Sequence, residues 1–348
     1  MTGEMHNRMD VGAALYPPQT IADTMHAYLA TVQDSRSANT AKAYRQALQA
    51  FSKALSEHDL DLSSPAGSLP EGGITWFADA LKAYSPATER LYLSAVIGFY
   101  EHLSSESLAE PNLPRLRQLI KRRTRRSGQR LPQFSRESIE KVLEYTETLA
   151  SAPVENDLER LRNLRDRAFL LTLADTGLHV HEACKMRRGD LDWNEGKAVL
   201  IGKGDKQSVI RFSTRSLGAL RDYLSARASL DSSARKPLGS LPLFLRHDPG
   251  AKKGGATGGE AQFRPITTET GRDIVELRVV EALGPAAAGT ITPHSFRHYF
   301  VTIVLRSSGN LKVAQALARH SNISTTSLYA HLADDELDKA YWETFEKD

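Results

Sequence analysis

The pattern of hydrophobic and polar positions predicts that the first third of the chain is helical. Between about residues 20 and 108, apolar residues recur at spacings of three and four, which places them on one side of a helix. Asn39 or Thr40 is a candidate N-cap for the second helix. Further helices are predicted at 74–84 and 86–103, after a loop rich in Gly, Pro and Ser at residues 63–73. Four such helices would form a small bundle.

The later pattern predicts a mainly helical region with one small antiparallel sheet. Ser135 is a candidate N-cap, and helices are predicted at 158–176, 214–230 and 268–282. Gly177 ends one of these helices, and Glu182 lies inside the next. Residues 197–201 and 208–212 read as the two strands of a β-hairpin with the sequence GKGDK between them.

Composition describes an ordinary globular protein with unevenly distributed charge. The chain has 348 residues, 41% hydrophobic content and a formal net charge of +3. Cys184 is the only cysteine, so an intrachain disulfide is impossible, and we expect a reducing, cytoplasmic location. No apolar run approaches the ~20 residues that span a membrane. Residues 1–18 lack the apolar segment of a signal peptide and are expected to form a flexible tail.

A basic segment separates the two predicted helical regions. Residues 111–130 include eight basic side chains and no acidic one. With three prolines between residues 109 and 134, we interpret residues 111–134 as a flexible basic linker. Clustered positive charge is typical of phosphate binding, although such a run is also common in solvated linkers.

The most informative stretch runs from Thr292 to Ala330. His294 and Arg297 follow Pro293, which suits a helix start, so both side chains share one helical face. An imidazole beside a guanidinium fork is suited to gripping a phosphate. His320 and Tyr329 follow, and a break at residues 321–322 would let both turn toward the same pocket. The Tyr329 phenol is then a plausible nucleophile for a phosphodiester.

This combination of His294, Arg297, His320 and Tyr329, with Tyr329 in the phrase STTSLYAHL, resembles the tyrosine recombinases, or phage integrases. The phrase N-T-x-x-x-Y at residues 39–44 is similar to that family's N-terminal region. The resemblance covers about residues 20–345. It implies a SAM-like helical core-binding domain at 19–110, the linker at 111–134, and an integrase-type catalytic domain at 135–348 that ends in a C-terminal docking helix.

The resemblance also implies a reaction. Tyr329 would attack the scissile phosphate of DNA and form a 3′-phosphotyrosyl link, and Lys203, in GKGDK, would protonate the leaving 5′-oxygen. Arg297, His294 and His320 would stabilise the transition state. The family needs no cofactor and no metal. The implied partners are double-stranded DNA with a specific recombination site and further copies of the chain, a dimer on each site and a tetramer in the synapse, acting on the nucleoid and not at a membrane. Candidate DNA-binding residues are Lys42, Arg45, Lys121, Arg122, Arg123, Arg125 and Arg126.

One position departs from the family pattern. The family's first catalytic arginine stands in T-G-L-R-x-x-E, and this chain has His179 there, with Glu182 in place as a structural residue near the site. Imidazole has a reference pKa near ~6.5 and is shorter than arginine. We therefore expect DNA binding with slowed cleavage, and the substitution could be natural tolerance or an introduced trap.

Three alternatives remain open from the sequence. A cleavage-deficient DNA-binding accessory protein of the same fold would explain His179. A relaxing topoisomerase would share the chemistry. A metal site is suggested by His294 and His298 at a spacing of four, but the intervening Arg297 would repel a cation and favours phosphate.

Overall fold

The computed structural model describes residues 19–125, 135–201, 207–247, 263–320 and Thr326. It divides the chain into two compact units, Met1–Gly128 and Gln129–Asp348. Each unit has its own hydrophobic core. The predicted fold class, mainly helical with a small antiparallel sheet, is confirmed.

The described part of the first unit is a helical bundle. Its helices are α1 (Ile21–Ser35), α2 (Ala38–Ser56), α3 (Gly73–Ala80), α4 (Pro86–Ser105) and α5 (Leu113–Arg123). The N-cap of α2 is Ser37, whose hydroxyl accepts a hydrogen bond from the Thr40 amide, so the prediction of Asn39 or Thr40 as the cap was wrong. The prediction missed Ser37 because three candidate caps, Ser37, Asn39 and Thr40, lie within four residues, and the first of them is the cap.

Aromatic rings fill the centre of this bundle. Phe51 and Phe77 pack edge to face with 5.2 Å between ring centroids, and both are fully buried. Tyr28 donates a hydrogen bond to the Ala95 carbonyl at 3.2 Å. Gly98 makes this approach possible, since a Cβ there would lie 2.2 Å from the Tyr28 hydroxyl.

The interpretation of residues 111–134 as a flexible linker is wrong for residues 113–123. These residues form α5, which begins at the N-cap Asn112 and packs against α3 and α4. Leu116 is fully buried in the core of the first unit. The basic side chains hide an amphipathic pattern in which Leu113, Leu116 and Ile120 face the bundle, and burial of that face fixes the segment.

The described part of the second unit is built around one buried helix. Its helices are α6 (Arg136–Thr148), α7 (Asp157–Thr176), α8 (Val180–Lys185), α9 (Thr214–Ala226), α10 (Ala228–Ser232), α11 (Thr268–Leu283), α12 (Pro293–Ser308) and α13 (Leu311–Ala318). Helix α7 packs against α6, α8, α9 and α12. Ser135 caps α6, as predicted.

The sheet has three antiparallel strands in the order β1 (Leu191–Asp192), β2 (Lys197–Ile201) and β3 (Gln207–Arg211). The hairpin is confirmed, with Lys197 opposite Arg211 and Ile201 opposite Gln207. The single helix predicted at 214–230 is instead two helices that meet at Arg227. The buried Arg227 guanidinium donates to the carbonyls of Pro242 and Leu243, which holds the backbone at this break.

Helices α12 and α13 pack through a small core of their own. Val301, Leu305, Ala314 and Ala318 are buried between them. Asn310 caps α13 by accepting hydrogen bonds from the amides of Lys312 and Val313. This packing fixes the end of α13, where Arg319 and His320 follow, relative to α12.

Candidate active site

The site is organised by the first turns of α12. Thr292 is its N-cap and Pro293 its first residue, as predicted from the sequence. His294 and Arg297 therefore lie one turn apart on the same face. His294 keeps an exposed surface, whereas Arg297 is only 4% exposed and lies deeper in the protein.

Arg297 links two loops of the second unit. Its guanidinium donates one hydrogen bond to the Gly177 carbonyl at the end of α7 and another to the Ala318 carbonyl at the end of α13. Guanidinium has five N–H donors, so three remain for a ligand. Burial, followed by repulsion from Arg319, lowers the pKa of Arg297 to about 10, so it is charged at neutral pH.

Gly177 gives Arg297 its acceptor because of its backbone conformation. Its φ of 62° is left-handed, and a Cβ there would lie 2.4 Å from Cδ1 of Phe300. A glycine is therefore required both by the turn and by the close approach of α12. The turn leads directly into the segment that begins α8.

His179 is the N-cap residue of α8. Its amide donates to Oε2 of Glu182 at 2.8 Å, which fixes the start of the helix. Its ring stacks on His181 with 5.5 Å between centroids. Desolvation by the surrounding protein, followed by repulsion from Arg297, lowers the pKa of His179 to about 4. The residue at this position is therefore neutral at pH 7.

Glu182 also pairs with Arg319, the C-cap of α13. Two hydrogen bonds join the guanidinium to the carboxylate, at 3.2 Å to Oε1 and 3.0 Å to Oε2. Burial raises the pKa of Glu182, but Arg319 and the His179 amide more than offset this, and the pKa is lowered overall. Glu182 is a charged structural link between α8 and α13.

His320 approaches the site from the end of α13. Its Nδ1 lies 2.8 Å from the hydroxyl of Thr326. Burial, followed by repulsion from Arg297, lowers the pKa of His320 to about 4 and also lowers that of His294. His179, His294 and His320 are thus neutral at pH 7, and the positive charge beside them resides on arginine.

A cavity of about 530 Å³ opens beside these groups. It is lined by His179, His294 and Arg297, three of the predicted site residues, while His320 is not among its lining residues. Arg272, on α11, also lines it and was missed, because nothing in the local sequence of α11 distinguishes it from an ordinary exposed arginine. Arg319 was also missed, because the local sequence at the end of α13 does not distinguish it from an ordinary exposed arginine.

Several predicted site residues lie outside the described residues. They are Lys203, Tyr329, Arg126 and the C-terminal segment of the predicted docking helix. Lys203 belongs to residues 202–206, between β2 and β3. The roles predicted for these residues stay predictions.

The DNA-binding candidates of the first unit fall into two groups. Arg123 pairs with Asp79 at 2.8 Å, and Arg125 pairs with the buried Glu89 at 2.6 Å. The others are exposed, with no side-chain partner among the described residues, and they are Lys42, Arg45, Lys121 and Arg122. The second group is the more available to a phosphate backbone.

Within the described ranges, no three His, Cys, Asp or Glu side chains come together as a metal-binding group. No helix of the described residues combines the length and the apolar character needed to cross a membrane.

Comparison with known proteins identifies the fold and the family. The model of the phage integrase family matches residues 135–336, more than half of the chain, and the model of the phage integrase N-terminal SAM-like domain matches residues 25–107. The chain belongs to the phage integrase family. The described residues of this site lie within the range that the integrase model matches.

Curated relatives and solved structures agree with this assignment. Tyrosine recombinase XerC of Anoxybacillus flavithermus (strain DSM 21510 / WK1) is 30% identical over 250 residues, 72% of each chain. Tyrosine recombinase XerD of Listeria innocua serovar 6a (strain ATCC BAA-680 / CLIP 11262) is 29% identical over 325 residues, 92% of this integrase and 96% of XerD. The XerH site-specific recombinase, solved as a post-cleavage complex with palindromic difH substrate, is 16% identical with a TM-score of 0.63, over 93% of this chain and 84% of that one. At that identity the likeness to XerH concerns the fold alone.

Proposed function

We propose that this chain is a site-specific DNA recombinase that cuts and rejoins DNA strands through a covalent tyrosine intermediate. The observation that supports this most is the position of Arg297. It is buried, charged, fixed by two backbone carbonyls and open to a cavity that it shares with His294 and His179. Carbonyls hold a guanidinium without cancelling its charge, which leaves that charge for a phosphate.

The proposed reaction gives each residue a defined role. The Tyr329 phenol gives up its proton as its oxygen attacks phosphorus and forms the phosphotyrosyl bond, while the bond from phosphorus to the 5′-oxygen breaks. One proton leaves the phenol and one is added to the 5′-oxygen, so the step balances. Lys203 gives a proton to that leaving oxygen. Arg297 and His294 donate hydrogen bonds to the phosphate oxygens that gain charge in the transition state, with His320 and His179 beside them. A 5′-hydroxyl of the partner strand reverses the step, so bond energy is conserved and no cofactor is consumed.

The proposed partners are double-stranded DNA with a specific site and further copies of the chain, a dimer on each site and a tetramer in the synapse. Lys42, Arg45, Lys121 and Arg122 are the proposed contacts to the DNA backbone in the first unit, because their charges are free for phosphates. We place this activity in the cytoplasm, on the nucleoid.

The direct test is a suicide DNA substrate, nicked near the cleavage point and taken from sequence flanking the gene. Covalent protein–DNA adduct is scored on a denaturing gel for the wild-type chain and for Tyr329→Phe. We expect adduct from the wild type, none from Tyr329→Phe, and equal DNA binding by both in a gel shift. Adduct from Tyr329→Phe would refute the assigned nucleophile.

His179 supports a second candidate, a DNA-binding accessory protein that has lost cleavage. A neutral imidazole cannot supply the permanent charge of arginine. Under this candidate the wild-type chain binds the substrate without forming adduct, and His179→Arg restores adduct. Adduct from the unmodified chain excludes it.

A further inference from the structure

Arg319 ends α13 in a backbone conformation that arginine rarely adopts. Its φ is 59° and its ψ is 35°, in the left-handed region that favours glycine. Its side chain is nevertheless only 14% exposed. A long charged side chain that is mostly buried and held in a disfavoured conformation indicates a specific local requirement for it.

The contacts of Arg319 lead to His179. The guanidinium makes a two-bonded pair with Glu182, and Oε2 of Glu182 also accepts the amide of His179. The Nε–H of Arg319 is buried and has no hydrogen-bond partner in the described part of the chain. One carboxylate, that of Glu182, thus links Arg319 to position 179, where the family pattern has arginine.

A count of charges shows what Arg319 contributes. The permanently charged groups that act on His179 are Arg297, Arg319 and Glu182, two positive and one negative, for a net charge of +1. Without Arg319 the same group would have a net charge of zero, because Glu182 would cancel Arg297. An arginine at position 179 together with Arg297 and Glu182 would again give +1.

Helix α11 contributes Arg272, Asp273 and Glu276 to the lining of the cavity, a net charge of −1. These side chains therefore add no net positive charge for a phosphate. The net positive charge available to a phosphate beside His179 therefore depends on whether a cation pairs with Glu182.

We propose that Arg319 is a positioning residue that replaces the missing arginine of position 179: it neutralises Glu182 and so leaves the charge of Arg297 available to the phosphodiester. This inference rests on the proposed function, since the phosphodiester is that of the DNA substrate. It explains how histidine at position 179 is compatible with cleavage.

The test is a double-mutant cycle in single-turnover cleavage of a preformed complex with the suicide substrate. Arg319→Gly removes the charge and suits the backbone, because glycine adopts a positive φ freely. We expect cleavage to fall about 10²-fold, the size of effect seen when a charge-stabilising donor is lost. Adding His179→Arg to Arg319→Gly should restore cleavage to within about threefold of wild type, because the net charge returns to +1.

Two further variants separate charge from structure. Arg319→Lys keeps the charge but loses the two-bonded fork, so we expect partial cleavage, between wild type and Arg319→Gly. Lys312→Ala removes one exposed charge from the same helix and should cleave bound substrate at the wild-type rate. Wild-type cleavage by Arg319→Gly would overturn the proposal. So would a loss that His179→Arg fails to rescue, since that would make Arg319 merely structural.

Binding of inorganic phosphate provides a readout that does not depend on recombination. Phosphate is titrated into the full chain, and the imidazole signals are followed by NMR. We expect Arg319→Gly to bind phosphate about tenfold more weakly, and His179→Arg in that background to restore binding. If the wild type forms no adduct while this pattern holds, the proposed function fails and the role of Arg319 stands. If adduct forms while Arg319→Gly matches the wild type in both assays, only the role of Arg319 fails.

Discussion

Each unit of this integrase contains a glutamate with two cations nearby, and the two clusters use them differently. In the first unit, Glu89 is fully buried and contacts both Lys82, at 2.7 Å, and Arg125, at 2.6 Å. In the second unit, Glu182 forms an ion pair with Arg319, while Arg297 is held by the carbonyls of Gly177 and Ala318.

The difference lies in what holds the second cation. Both cations of the Glu89 cluster are bound to one carboxylate, and they hold its pKa below the usual value in spite of burial. The Glu89 carboxylate engages both cations of its cluster and offsets one of their two charges, whereas the carbonyls position Arg297 and leave its charge in place. Both cations of the first cluster are therefore bound to a buried carboxylate, and the second cluster keeps one cation for a ligand.

Loss of Arg297 should have the largest effect on activity. We expect Arg297→Ala to lower the single-turnover cleavage rate by about 10²–10³-fold, because it removes the charged donor nearest the proposed phosphate position. Arg297→Lys should recover little, since one ammonium cannot reach both carbonyls and a phosphate. Lys53→Ala, which removes an exposed cation from the first unit, is the control. Cleavage by Arg297→Ala at the wild-type rate would show that the second cluster does not keep a positive charge for the substrate.

Loss of Glu89 should affect stability instead. We expect Glu89→Ala to lower the free energy of unfolding of the first unit by about 3 kcal/mol, the lower end for breaking a buried ion pair, because Lys82 and Arg125 are partly exposed and can rehydrate. Urea unfolding is followed by the fluorescence of Trp76 in a Trp193→Phe, Trp342→Phe background.

The matched control for Glu89 is Asp79→Asn. It removes the carboxylate of the exposed pair with Arg123, and a change below about 1 kcal/mol is expected. If Glu89→Ala and Asp79→Asn cost the same, burial of the carboxylate is not what distinguishes the first cluster.

Gly177 and Gly309 form a matched pair that tests the carbonyl support of Arg297. Both end a helix with a left-handed φ, 62° and 58°, but only at Gly177 would a Cβ meet another residue, Phe300. Gly309→Ala should cost about 1 kcal/mol of stability from backbone strain alone. Gly177→Ala should cost about 2 kcal/mol more through overpacking, and should also slow cleavage because the Arg297 acceptor moves. Equal effects of the two changes would show that the Gly177 turn is not specially constrained.

The smallest expected effect is on the pH dependence of stability. Burial, followed by repulsion from His294 and His320, lowers the pKa of His298 to about 4. The unfolded chain, with a reference pKa near ~6.5, then binds more protons than the folded chain between these values. The contribution of His298 to the free energy of unfolding is therefore fully present above pH about 6.5, and it is lost progressively as the pH falls toward 4.

His298→Gln is the variant for this prediction, because it removes one titrating ring outside the proposed catalytic set. Urea midpoints are compared at pH 7 and pH 5. We expect the wild type to lose more stability than His298→Gln over this interval. The same loss in both would show that His298 does not contribute to the pH dependence of the second unit.

The sequence by itself determined the parts of this protein that depend on local pattern. Apolar periodicity predicted most helices and the hairpin, and Pro293, Ser135 and Gly177 marked helix ends correctly, because capping and backbone preference act within a few residues. The resemblance of the stretch from Thr292 to Ala330 predicted the family, since that stretch combines several uncommon residues at fixed spacing.

Only the tertiary structure determined which partner each charged side chain binds. The sequence singled out Arg297 but not its contacts. Nothing local shows that Arg125 binds a buried glutamate, Arg297 two carbonyls and Arg319 the carboxylate beside His179. Likewise, α5 is a helix of the first unit and not a linker, because its few apolar residues find a core to enter. Partners such as Arg319 and Glu182 are 137 residues apart. Their pairing follows from the packing of α13 on α12 and of α8 on α7, which no local pattern records.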